Sequence, residues 1–67
     1  MADTGTKDAT YDLISVAFHA LQGVENCTTY EQDAESDDLR SFFREAQQRQ
    51  RELADRAKSL LSERLSQ

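Results

Sequence analysis

The residues with a spacing suited to chemistry lie in the stretch FREAQQRQ, Phe43 to Gln50. Glu45 and Gln48 stand three apart there, the interval at which a Glu-x-x-His pair holds metal inside a helical bundle, with glutamine in the place of histidine. A second acid, Glu25, sits among apolar residues in LQGVENC. A carboxylate in such a setting is costly to bury unless it is paired or holds a cation. Glu25 and its symmetry copy are therefore the candidate ligands for iron or another divalent metal. The competing assignment keeps Glu25 as a buried polar residue held by Arg49 and Gln50, fixing the register of two helices. His19 and Cys27 are the lone histidine and lone cysteine, which excludes a Cys/His zinc cage and an internal disulfide. Neither a Ser/His/Asp set nor a glycine-rich phosphate loop is present, so no catalytic or cofactor-binding residue is assigned.

The elements that must position these residues are helices. From about residue 9 to 34 the apolar residues Tyr11, Ile14, Ala17, Phe18, Leu21 and Val24 recur at helical spacing, and proline is absent throughout. Asp8 or Thr10 suits the N-cap, and Asp12 the positive end of the helix dipole. Glu35-Ser36-Asp37-Asp38 marks a turn at 35–37 with Ser36 or Asp37 as the next cap. A second helix over about 38–65 carries Leu39, Phe42, Phe43, Ala46, Leu53, Ala54, Ala57, Leu60 and Leu61. The small polar residues of 1–8 read as a disordered N-terminal tail, leaving 9–67 as a helical-hairpin domain. No segment alternates with period two, so the fold class is all-α.

At about 100° per residue, the first helix is apolar over a broad arc centred on Ile14, and the second over a narrower one centred on Leu39. Facing these arcs together places Phe18, Leu21 and Leu53 in the core, with paired positions summing to roughly 72 across the hairpin. Glu25 falls within about 20° of Ile14, and in that register meets Arg49 and Gln50. Gln48 lies opposite the Leu39 stripe and Glu45 about 120° from it, so the two do not look into the core together. His19 falls on the polar side of the first helix, and Cys27 at the flank of its apolar arc.

A chain of 67 residues is one domain at most and buries little surface alone. With no disulfide or zinc cage to staple it, a second copy is the natural source of the missing core, giving a homodimeric four-helix bundle. A net charge of −5 argues against a nucleic-acid partner. Residues 1–38 carry nine acids and one base, whereas residues 39–67 carry seven bases and four acids. Such halves attract when laid side by side, within one chain or between two. There is no apolar run of membrane-spanning length and no basic-then-apolar leader, so a soluble, cytoplasmic protein with no membrane partner is expected.

The run YDLISVAFHALQGVENCTTY followed by DDLRSFFREAQQRQRELADRAKSLL resembles small bacterial two-helix proteins of the ferritin-like, rubrerythrin-like group. There a first helix with a central Glu precedes an acidic turn and a second helix opening with Leu and paired Phe. The resemblance covers residues 11–65 and implies an antiparallel hairpin that dimerises into a ferritin-like four-helix bundle. It matches Glu25 to the inward Glu of the first ferritin helix and Glu45 to the Glu of Glu-x-x-His, which implies Glu45 as an added metal ligand; at Gln48 the di-iron histidine is lost. Two functions follow as expectations. One is a non-enzymatic helical protein acting through homodimerisation and protein interaction. The other is a divergent carboxylate metal binder using Glu25.

Overall fold

The computed structural model describes residues 8–66, which form two α-helices joined by a short turn: α1, Ala9–Asp33, and α2, Asp37–Leu65. Of the segment read as a tail, only Asp8 is described; residues 1–7 lie outside the described residues. Asp8 caps α1, its Oδ1 accepting from the Thr10 and Tyr11 amides at 3.0 and 3.2 Å. Ser36 caps α2 through its Oγ, which accepts from the Leu39 amide at 3.2 Å. Asp37 and Asp38 occupy the first turn of α2 and Arg64 its last, each sign matched to the helix dipole.

The break between the helices needs neither glycine nor proline. Ala34 and Ser36 adopt extended backbone, and the Ser36 side chain satisfies an amide that a continuous helix would have bonded to its own carbonyl. Arg40 closes the turn, donating to the Ala34 carbonyl at 3.3 Å and pairing with Asp37 at 2.7 Å.

The helices meet along a seam with coiled-coil spacing. On α1 it runs through Leu13, Ala17, Ala20, Val24, Cys27 and Glu31; on α2 through Arg40, Phe43, Gln47, Gln50, Ala54, Ala57 and Leu61. Every one of these residues is buried or half-buried. The fully buried set, Ala17, Ala20, Cys27, Ala54 and Ala57, contains only small side chains. Small residues let two helical backbones approach closely, and the tight fit extends to Gly23, where an added Cβ would meet Gln50 Cδ at 3.0 Å.

The expected core is corrected here. Phe18 is 60% exposed, Leu21 44% and Leu53 50%. The apolar arcs centred on Ile14 and Leu39 do not face each other squarely, because the seam lies about 100° from Ile14 on α1 and about 50° from Leu39 on α2, which brings the alanines of each helix into it. The register nevertheless falls close to expectation. Gln47 Nε2 donates to the Val24 carbonyl and the Thr28 hydroxyl, both at 2.9 Å, Arg44 pairs with Glu31 at 2.6 Å, and Arg64 reaches Thr10 at 3.1 Å.

Candidate functional site

With only small residues fully buried in the seam, many of the large apolar side chains are left outside it, and their phase decides where. On α1, Ile14, Phe18 and Leu21 each follow a seam position by one residue; on α2, Leu39, Phe42, Leu53 and Leu60 each precede one. In an antiparallel pair, residues that follow the seam on both helices share a side, while one that follows and one that precedes take opposite sides. The hairpin therefore has two apolar faces, back to back.

The front face carries Leu39, Phe42, Ala46, Leu53 and Leu60 from α2, with Val16 and Tyr30 from α1. Two observations fix this grouping. Tyr30 packs on Phe43 with ring centroids 5.7 Å apart, and Phe43 in turn lies 5.7 Å from Phe42. At the open end, Leu13, Val16 and Leu60 line a cleft of about 400 Å³ edged by Asp12, Glu63 and Arg64. The back face carries Tyr11, Ile14, Phe18 and Leu21 from α1, alongside Arg44, Gln48, Arg51, Asp55 and Lys58 from α2, all of them exposed.

The candidate metal and register residues occupy the rims of these faces. Glu25 is exposed at the end of the back-face stripe, where Phe18, Leu21 and Gln22 join it around a shallow hollow of about 200 Å³. Arg49 is 72% exposed and pairs with Glu45 at 3.5 Å and Glu52 at 4.0 Å, not with Glu25. Gln50 sits half-buried in the seam against Gly23. Within one chain, then, Glu25, Arg49 and Gln50 form no buried cluster; the register is held by Gln47, Arg44 and Glu31. Glu45 points away from the seam, and Gln48 donates to Glu52 at 3.2 Å on the exposed surface. No group of three or more His, Cys, Asp and Glu residues gathers as a metal site among the described residues. His19 is exposed with Nδ1 3.5 Å from the Ser15 hydroxyl, and Cys27 is buried in the seam.

Sequence reasoning missed Glu31 and Gln47 because they are polar residues at seam positions, and Arg44 because it acts from the exposed rim by pairing with Glu31. The signal was present all the same: 40, 43, 47, 50, 54, 57 and 61 alternate by three and four without interruption. Among the described residues no helix is long and apolar enough to cross a membrane. No family model, curated protein or solved structure matches the chain.

Proposed function

We propose that the chain is a non-enzymatic interaction module that acts as a homodimer joined through its front face. The observation that carries this reading is the inversion of side-chain size. The seam buries only alanines and one cysteine, while Leu39, Phe42, Leu53, Leu60, Val16 and Tyr30 stand exposed on one side. Full burial confined to small residues supplies little apolar area for a chain of this length, which favours a second contact.

The front face suits a second copy because it is self-complementary. A two-fold axis parallel to the helices sets α1 of one copy over α2 of the other, so that Val16 meets Leu60 and Tyr30 meets Phe42. Gly23 and Asn26 then leave room opposite Ala46. All neighbouring helices run antiparallel in this arrangement, which is the four-helix bundle expected from the ferritin-like resemblance. It also places the acidic α1 of each copy against the α2 of the other, which holds all seven bases of the two helices.

Sedimentation of the full chain at micromolar concentration tests the proposal: a dimer mass is expected, and a folded monomer would refute it. The same samples address metal. If the protein were instead a carboxylate metal binder, ferrous or another divalent ion would raise the melting temperature and Glu25→Gln would remove that gain; the interaction reading predicts no metal-dependent shift.

A further inference from the structure

The chain carries two heptad stripes, and they behave differently at the turn. The seam stripe is interrupted there: Glu31 and Arg40 stand nine residues apart, half a turn out of phase at about 100° per residue. It joins the two helices only when the chain folds back. The outer stripe is not interrupted. Positions 11, 14, 18, 21, 25, 28, 32, 35, 39, 42, 46, 49, 53, 56, 60 and 63 alternate by three and four straight through the turn. The back-face ridge from Ile14 to Leu21 and the front-face row from Leu39 to Leu60 are thus two halves of one stripe, which the turn sends to opposite sides of the hairpin.

The outer stripe also matches itself in reverse. Every position in it has a counterpart in it such that the two numbers sum to 74, the sum that joins Thr10 to Arg64 across the hairpin. Laid antiparallel on a second copy, about a two-fold axis at residue 37, the stripe sets Ile14 on Leu60, Leu21 on Leu53 and Glu25 on Arg49. The last pair is absent from the hairpin, where Arg49 lies beside Glu45 and Glu52. The same register lays α1, which has no Lys or Arg, along the seven bases of α2. Residues 34–36 hold neither glycine nor proline, so the break depends on the Ser36 cap and the Arg40 contacts described above.

We propose that the chain has a second, open state, in which the turn straightens into one continuous helix and two copies pair antiparallel along the outer stripe. The open pair covers Ile14, Phe18 and Leu21, which the front-face dimer leaves in water. The hairpin is the major state and the open pair the minor one. In the open pair each helix has one contact where the front-face dimer gives it two, and Thr28, Gln32 and Glu35 leave the middle of the stripe polar. Straightening also gives up the Ser36 cap. The open state does not depend on the front-face contact, since it is built from the phase of the outer stripe alone.

The test is pulsed dipolar electron resonance on the full chain, with spin labels at Gln22→Cys and Glu52→Cys in a Cys27→Ala background. A large excess of unlabelled chain restricts the measurement to distances within one molecule. In the hairpin the two exposed sites lie at the same level; in a continuous helix they are 30 residues, or about 45 Å, apart. The native turn is expected to show mainly the short distance. Ser36→Ala removes a cap that only the hairpin uses, and should raise the long-distance fraction by about fivefold or more. Asp37→Pro suits the first position of α2 but breaks a continuous helix, and should abolish that fraction. If Ser36→Ala fails to fold, Glu35→Leu takes its place: it fills the outer stripe at an exposed position and should act in the same direction. The short distance alone in these variants, or a long distance that survives Asp37→Pro, would overturn the proposal. Sedimentation of Asp37→Pro, which is confined to the hairpin, tests the front-face dimer by itself, so either reading can fail without the other.

Discussion

Leu53 and Ala54 are neighbours in the chain, yet they occupy opposite extremes of the hairpin. Ala54 is 0% exposed in the seam, and Leu53 is half exposed on the front face. The same inversion recurs at Phe18 beside Ala17 and at Leu21 beside Ala20. Two helices that belonged to each other alone would gain most by burying their largest side chains between them, since apolar burial scales with area. Close contact through alanines instead brings the backbones together and leaves Phe18, Leu21, Leu39, Phe42, Leu53 and Leu60 exposed. The difference between seam and face is what the proposed dimer rests on: one contact holds the hairpin, and the other is left over for a second copy in that proposal.

Substitutions on the two sides of that division should separate it. Leu53→Ala has the largest expected effect: about 2 to 5 kcal/mol of dimer stability, the usual cost of truncating a buried leucine. Denaturant unfolding at several protein concentrations measures it, and a loss below about half a kcal/mol would mean that the front face stays in water. Ala54→Leu comes next, at about 1 to 3 kcal/mol, because the seam has no room for the added carbons. Its cost should be independent of protein concentration once the dimer term is subtracted, whereas that of Leu53→Ala should not. Glu31→Gln is the smallest. The Arg44 pair it breaks is largely solvated on the arginine side, so thermal unfolding should register less than about 1 kcal/mol.

Much of the fold was legible in the sequence. The two helices and the approximate register followed from periodicity, from the acids and serine around 35–38, and from the geometry of hairpins, while the caps at Asp8 and Ser36 were each one of two residues the sequence offered. The rotation of each helix was not legible. A hydropathy wheel weights Phe18, Leu21 and Leu53 above Ala17, Ala20 and Ala54, so it turns the large residues inward whenever only one contact is considered. Two contacts per helix, one tight and one wide, leave two overlapping heptad stripes, and the wheel merges them into the single broad arc centred on Ile14. Glu25 was placed in a core by that merging. Once the stripes are separated, it belongs to the outer one, at the end of the back face. The polar seam residues Gln47 and Glu31 escaped notice for the complementary reason: their spacing is that of a core, but their chemistry is that of a surface.

The central claim is that the front face, not the back, joins two copies. The most direct measurement is the dimer dissociation constant of Leu53→Asp beside that of Phe18→Asp, each determined by sedimentation against the unmodified chain. Placing an unpaired carboxylate in a buried interface costs several kcal/mol, so Leu53→Asp should weaken the dimer by more than about a hundredfold. Phe18→Asp, on the opposite face, should change it by less than about threefold. Dissociation by Phe18→Asp with a dimer intact in Leu53→Asp would contradict the account.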